Sequence, residues 1–388
     1  MSSSPSTALP ISFSSSLSSI TEKCRKPRGR LESPSGHKNM EKSTRIQHSQ
    51  DIHLPHVAVH FVLGLASNTI NIIVFAKIGF RDNVTVTLLF LSLSDLLNLI
   101  LKCPMTVMRF MEKNFPNHDW PFDRQILYLG VFWYAYVFYD YSSFISVFLA
   151  LVRCVCIARP LRFKSMFTTS RTVIILVILF LMALTFRAPV LTIFRLSWIV
   201  NPLTNSTYRS IRIAPNFREI YKANDIFNRN IVSWVAYITT TTCVIILGSK
   251  LQAASRFRQS LQITAHAKAT EFEKSTLQID KTKTGKNPPT KTSNNLSVKD
   301  LQVIQSITLV CVIFILSQLP FQVMSTIRLL DPEFGDGRKK MYAYGFTSHI
   351  SATFGYLNSS INIFVYYHFN TRYRETFLSL LFKRPAKV

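Results

Sequence analysis

From Gln125 to Val152 the chain runs for 28 residues with a single charged side chain, Asp140. About 20 apolar residues of helix cross a bilayer core, so this stretch can span one with some tilt. Six more apolar blocks accompany it, near 55–76, 85–108, 171–194, 228–249, 302–327 and 341–367. Inside lipid every backbone polar group must find a partner within the protein, which leaves helices as the economical solution for blocks of this length. With 48% hydrophobic and 17% charged residues in 388, the expected fold is an all-α membrane protein: a seven-transmembrane helix bundle over residues 53–382.

The flanks bear on orientation. Residues 1–52 are Ser-rich with no apolar run and read as a disordered extracellular tail. They lack the apolar core that follows a basic start in a signal peptide, so the first helix is expected to serve as an uncleaved insertion signal. Residues 250–300 are hydrophilic and basic and read as a long cytoplasmic loop. Residues 383–388 form a cytoplasmic end. The segments placed in the cytoplasm carry 22 Lys and Arg against 14 in the outer loops, which favours an outer N-terminus; the eight basic residues of the tail erase that bias. The net charge of +25 is mostly a loop property. The basic loop lacks interleaved aromatics and is tethered to membrane helices, so the expected contact is lipid head groups and not nucleic acid.

Several short motifs occur in a telling order. Arg153 ends the third block and leads into CVCIARPL; the fourth ends in FRAPV; the sixth carries Ser317-Gln318-Leu319-Pro320; the seventh reads NSSINIFVYYHFNTRYRETF. This order resembles the rhodopsin-like (class A) G-protein-coupled receptors. Arg153, Pro160 and Leu161 match the inner end of that family's third helix, with Val152 and Cys154 where the family has an acid and a tyrosine. Pro320 matches its sixth-helix kink, without the usual tryptophan. Asn362 to Tyr366 matches its Asn-Pro-x-x-Tyr, with Ile363 for proline. Arg372, Arg374, Phe377 and Leu380 form an amphipathic run like its interfacial eighth helix. With LLDPEFGDG, these stretches look most like molluscan chemosensory and orphan neuropeptide-type receptors. The resemblance implies a plasma-membrane receptor, N-terminus outside, for an extracellular neuropeptide or chemosensory ligand, acting on a heterotrimeric G protein as the sixth helix swings outward.

The resemblance also implies roles for particular residues. Arg153, Asp300, Pro320 and Tyr366 would form the switch that couples to the G protein. Asp300 would pair with Arg153 in the resting state, or else cap the sixth helix. Asn68, Asp95, Ser142, Asn358, Ser359 and Asn362 match positions that gather around an allosteric sodium ion in the family. One carboxylate among hydroxyl and amide oxygens suits a hard cation, and a water-filled network around a neutral Asp95 is the alternative. No other cofactor is expected. Lys102, Asp140, Arg187 and Gln318 are pocket candidates. Lys102 and Arg109 could equally snorkel to head groups, and Asp140 could simply bond between helices. With Lys102 and Arg187 read at helix mouths, the ligand is expected to carry an anionic group. The family's disulfide from the second outer loop to the third helix has no cysteine at Asn201–Asp225 to make it. Asn205 begins a glycosylation sequon there.

Other functions find less in the chain. No nucleophile elbow, zinc-binding HExxH or phosphate-cradling loop occurs, so no enzyme is expected. A seven-helix channel or transporter, with Asp95 and Asp140 along its path, would call for internal repeats or paired broken helices. A retinal photoreceptor would need a lysine in Met341–His368, which has none.

Overall fold

The computed structural model describes residues 59–115, 124–158, 166–200, 207–250, 252–253, 256, 298–335 and 338–382. Among these, seven long helices form a bundle: α1 Val59–Ile78, α2 Asn83–Asn114, α3 Arg124–Ala158, α4 Thr169–Leu191, α5 Phe217–Lys250, α6 Val298–Leu330 and α7 Met341–Phe369. A short α8, Thr371–Leu381, follows. Between α4 and α5 lies an antiparallel hairpin, β1 Phe194–Val200 and β2 Thr207–Ile213, in register from Phe194 opposite Ile213 to Val200 opposite Thr207. The first six helices are long and apolar enough to cross a membrane. The seventh is long enough but carries His349, Asn358, Asn362 and several serines, which lower its apolarity. The expected tail 1–52, most of the 250–300 loop, the end 383–388 and the Asn205 sequon lie outside the described residues.

Local chemistry sets the helix ends. Asp82 caps α2 by accepting from Thr85 N (3.3 Å), Thr168 caps α4 through Arg171 N, and Asn370 caps α8 through Tyr373 N, each satisfying a backbone donor of the first turn. Gly79 follows α1 at φ +91°, where a side chain would strain the backbone. Within the helices, Thr87, Thr185, Thr240, Ser317 and Ser351 return their hydroxyls to the carbonyl four residues back, so polar side chains enter the bundle without orphaned donors. Gly64 lets α1 approach α2 and α7: a Cβ there would lie 2.8 Å from Leu99 Cδ1 and 3.2 Å from Ser360 Oγ.

Large apolar side chains face outward, among them Leu63, Ile73, Ile174, Ile178, Leu181, Ile238, Ile245, Leu316 and Phe364. In water such a surface would be a liability; against acyl chains it is what a spanning bundle requires. Inside, α3 is the hub, packing on α2, α4, α6 and both strands. At the α8 end the core gathers Phe75, Leu88, Ile145, Leu149, Cys311, Tyr366 and Tyr373. Tyr373 donates to Asn71 Oδ1 at 2.6 Å, tying α8 to α1. In the α6–α7 loop, Lys340 Nζ lies 2.7 Å from Asp331. That bond holds the Asp331 carboxyl below its ordinary range and the Lys340 ammonium above its own. For Asp331 the resulting stabilisation is present above the unfolded carboxylate range and is lost as pH falls through the lowered folded value.

The segment Asn201–Asp225 reads in sequence as a polar outer loop, and that expectation needs correcting. Asn201–Asp225 is not all polar loop, because β2 starts at Thr207 and α5 at Phe217, well before the apolar block at 228. Phe217, Ile220, Tyr221 and Asn224 recur at helical spacing and turn one face to the bundle; polar residues between them hid the helix. The β1–β2 hairpin of this outer segment is held without the family's disulfide. Trp133 of α3 stacks on Phe194 (centroids 6.4 Å) amid Val190, Ile193, Ile213 and Tyr221, and Ala214 N donates to Ile193 O. Trp133→Ala is therefore expected to cost about 3–5 kcal/mol, read as a lower melting temperature of the detergent-solubilised protein. A melt unchanged from the parent would show the hairpin to be held by other contacts.

Candidate functional site

The middle of the bundle holds a buried polar network. Asn68 of α1 donates from Nδ2 to Gly64 O at 2.9 Å and Ser359 O at 2.8 Å, joining α1 to α7. Asp95 of α2 accepts from Ser142 Oγ of α3 at 2.7 Å through Oδ1. Asn358 is half-buried, while Ser359 and Asn362 are buried. Among the described residues, four oxygens of these side chains and of Asn98 are left buried without a donor: Asp95 Oδ2, Asn68 Oδ1, Asn98 Oδ1 and Asn362 Oδ1. Unmet acceptors with one carboxylate are the donor set that a sodium ion or a few waters would complete. The residues fit a cation. Asn71 stands apart, spent on Tyr373.

Toward the hairpin the buried groups are charged. Arg187 of α4 is 3% exposed and makes a two-pronged pair with Asp140 of α3, Nε to Oδ2 and Nη2 to Oδ1, the second at 2.9 Å. Its Nη1 donates to Asn224 Oδ1 at 3.0 Å, and Asn228 Nδ2 donates to the same oxygen and to Phe186 O. Asp140 thus bonds between helices, one of the two roles left open for it, and Arg187 is not a free cation at a helix mouth. Lys102 does not snorkel either. Its ammonium lies 5.4 Å from the ring centres of both Tyr136 and Tyr139, pointing into the bundle. Arg109 has no described side chain.

Three basic or acidic residues here escaped the sequence reading. Asp225 of α5 sits between Arg229 (3.2 Å) and Arg328 of α6 (3.2 Å). Arg229 lies over Phe321 at 5.4 Å; Arg328 lies over Tyr221 at 5.6 Å and Tyr344 at 5.7 Å. Arg229 and Arg328 each stand inside or at the end of an apolar block, which was the signal available. Around Arg229 the helix widens into a π turn, Phe227–Val232. The carbonyls it loosens are met by side chains: Asn230 Nδ2 donates to Asp225 O and Ser325 Oγ to Arg229 O. Such turns cluster at functional sites. A narrow cavity opens here among Tyr139, Asp140, Arg187, Arg229, Gln318 and Phe321.

The inner part of α6 packs through Ile307, Val310, Cys311 and Phe314. Around and beyond Pro320 it is stitched by polar bonds: Tyr139 OH to Gln318 Oε1 (2.6 Å), Gln322 Nε2 to Ser233 Oγ, and Trp234 Nε1 to Thr326 Oγ1 (3.0 Å). At the opposite end Arg153 is 5% exposed, with Nε and Nη2 unbonded among the described residues. It lies by Asn83, Thr87, Phe148 and Thr172. The side chain of Asp300, its expected partner, falls outside the described residues. Tyr366 is wholly buried against Phe75 (5.2 Å), its hydroxyl unbonded among the described residues. Cys154 packs into the bundle, its Sγ 3.5 Å from Cys243 O.

Residues 67–366 match the family described as 7 transmembrane receptor (rhodopsin family). No curated protein matches the chain.

The Asp140–Arg187 pair makes a clear energetic prediction. Removing one partner strands a buried charge, which costs about 3–5 kcal/mol, while removing both can be nearly neutral. Asp140→Asn and Arg187→Met are each expected to destabilise the detergent-solubilised protein strongly, and the double variant less than either. Additive losses in that melting cycle would mean that the pair is not coupled.

Proposed function

Since the chain belongs to the rhodopsin family of seven-transmembrane receptors, a multi-pass membrane family with G-protein-coupled receptor activity and no enzymatic chemistry, we propose that it sits in the plasma membrane with the hairpin end outside and signals there. The ligand enters among α3, α5, α6 and α7, and the heterotrimeric G protein engages the end bearing Arg153. One observation carries this reading: the family match spans the bundle, from α1 into α7, and takes in a buried Arg153 and an α6 with Pro320 inside it.

The mechanism is a population shift. Ligand favours the arrangement with α6 swung outward only as far as it binds that arrangement more tightly. Pro320 removes one intrahelical hydrogen bond and supplies the bend. The polar stitches around it couple the ligand cavity to the hinge, and the apolar packing below must part to uncover Arg153. Tyr366, with an unbonded hydroxyl in that packing, is the group placed to take a new partner when it does. The likeness of ALVRCVCIARPLRFKSMF, LLDPEFGDG and NSSINIFVYYHFNTRYRETF to molluscan chemosensory and neuropeptide-type receptors supports a neuropeptide or small chemosensory ligand. The channel or transporter alternative finds little support, because Asp140 is neutralised by Arg187. The direct test expresses the chain with a promiscuous Gα and measures nucleotide exchange; Arg153→Ala should abolish it at equal surface expression.

Two further outcomes follow from the switch residues. The orphaned oxygens around Asp95 support sodium as an allosteric ion. Asp95→Asn is expected to remove any sodium dependence of agonist affinity, and an affinity in the parent that ignores sodium across physiological concentrations would exclude the ion. Arg153 has no acid beside it in sequence, only Val152, which leaves Asp300 at the start of α6 as its resting partner. A partly exposed pair of this kind is worth about 1 kcal/mol or less, so Asp300→Asn should raise ligand-free signalling several-fold. Unchanged basal signalling would make Asp300 a helix cap, since asparagine caps as well as aspartate.

A further inference from the structure

The charges at the hairpin end do not balance. Among the described residues within this part of the spans, Lys102, Arg187, Arg229 and Arg328 face three carboxylates, Asp95, Asp140 and Asp225. Arg187 and Asp140 cancel. Asp225 is shared by two guanidinium groups, which leaves one positive charge there. Lys102 makes no direct ion pair among the described residues; its ammonium lies over two aromatic faces, with Asp95 and Asp140 only within longer electrostatic reach. An ammonium held in the bundle this way costs stability and marks a functional site. Between Lys102 and the Arg229–Arg328 pair stands Tyr136. Lys102 and Arg187 lie over its ring at 5.4 and 5.3 Å; Arg229, Tyr221 and Tyr344 lie within electrostatic reach. Its hydroxyl makes no hydrogen bond among the described residues.

On the reading of the chain as a ligand-gated receptor, we propose that the natural ligand bears a carboxylate that docks beside Tyr136, between Lys102 and the Arg229–Arg328 pair. The Tyr136 hydroxyl donates to it, and the ammonium and guanidinium groups supply the charge-assisted bonds. The surplus over the three carboxylates is a single positive charge, which suits a carboxylate in preference to a phosphate dianion. Tyr139, Phe321 and Tyr344 present their rings to Lys102, Arg229 and Arg328, so the rest of the ligand is apolar or aromatic. Arg187, bound on three sides, takes no direct part.

The test uses the purified full-length receptor in detergent, with its melting temperature as the readout. The probes are 3-phenylpropionate, octanoate and N-acetyl-alanyl-phenylalanine, each beside its primary amide and beside phenyl phosphate. At least one acid is expected to raise the melting temperature by several degrees where its amide does not. Affinity should fall about tenfold or more in Lys102→Gln and in Arg328→Gln, and stay unchanged in Lys339→Gln, a loop lysine. Stabilisation by the small acids alone identifies a free carboxylic acid, and by the dipeptide alone a peptide terminus. No acid outperforming its amide, phenyl phosphate acting in their place, or a shift that survives Lys102→Gln overturns the proposal. Lys102→Met without ligand provides a second measure. An ammonium kept for a ligand predicts a melting temperature equal to or above the parent's, and a fall of several degrees makes Lys102 structural and overturns the proposal. Nucleotide exchange on Gα is read in parallel. Exchange that depends on Arg153 without carboxylate binding defeats the ligand assignment alone; carboxylate binding without exchange defeats the receptor reading alone.

Discussion

A bilayer gives a buried charge no water to lean on, and the rest of this structure follows from how each one is settled. Asp140 and Arg187 settle theirs against each other, and in doing so fix α3 to α4; Asn224 and Asn228 extend the bond to α5. Asp225 binds α5 to α6 in the same way. Helices that have no hydrophobic reason to prefer one another over lipid thus acquire specific neighbours. Among the described residues, many of the buried polar atoms that stay unpaired lie around Asp95, around Arg229 and around Arg153.

The division of labour along α6 has the same origin. Polar bonds grip the helix around and beyond Pro320, and apolar side chains grip it below. A polar bond is directional and is broken or made as a unit. Apolar packing is not directional and can slide. The upper half is therefore suited to registering a chemical group, the lower to yielding as a surface.

Much of this was legible in the chain. The apolar blocks gave seven helices because lipid imposes a length and a polarity that few other environments demand, and Asn68, Asp95 and Ser142 could be grouped by resemblance before any distance was known. The misses are instructive. Lys102 reads as a snorkelling lysine because its position along α2 is close enough to the boundary, and only the rings of Tyr136 and Tyr139 reveal that it turns inward. Arg187 looks free until Asp140, 47 residues earlier, is placed opposite it. Long-range pairing of charges is invisible to spacing along one helix. The first turns of α5 were hidden because Arg218, Lys222 and Asp225 dilute their apolarity, although the Phe217–Ile220–Tyr221–Asn224 face was there to be counted. The hairpin was lost to a different prior, the expectation of a cysteine where aromatic stacking does the holding.

The π turn at Phe227–Val232 has a consequence for the history of the chain. A turn of this kind holds one residue more than an α-helix needs, so its two flanks keep the facing they would have if that residue were gone. A single-residue deletion anywhere else in α5 would rotate everything beyond it by about 100° and swing Cys243 and Leu247 away from the core. Inside Phe227–Val232 the same deletion would simply close the bulge. This segment, which also aims Arg229, is therefore the point along α5 where a lineage can gain or lose a residue, and with it remake the cavity wall, while leaving the Cys243–Leu247 end of the helix in register.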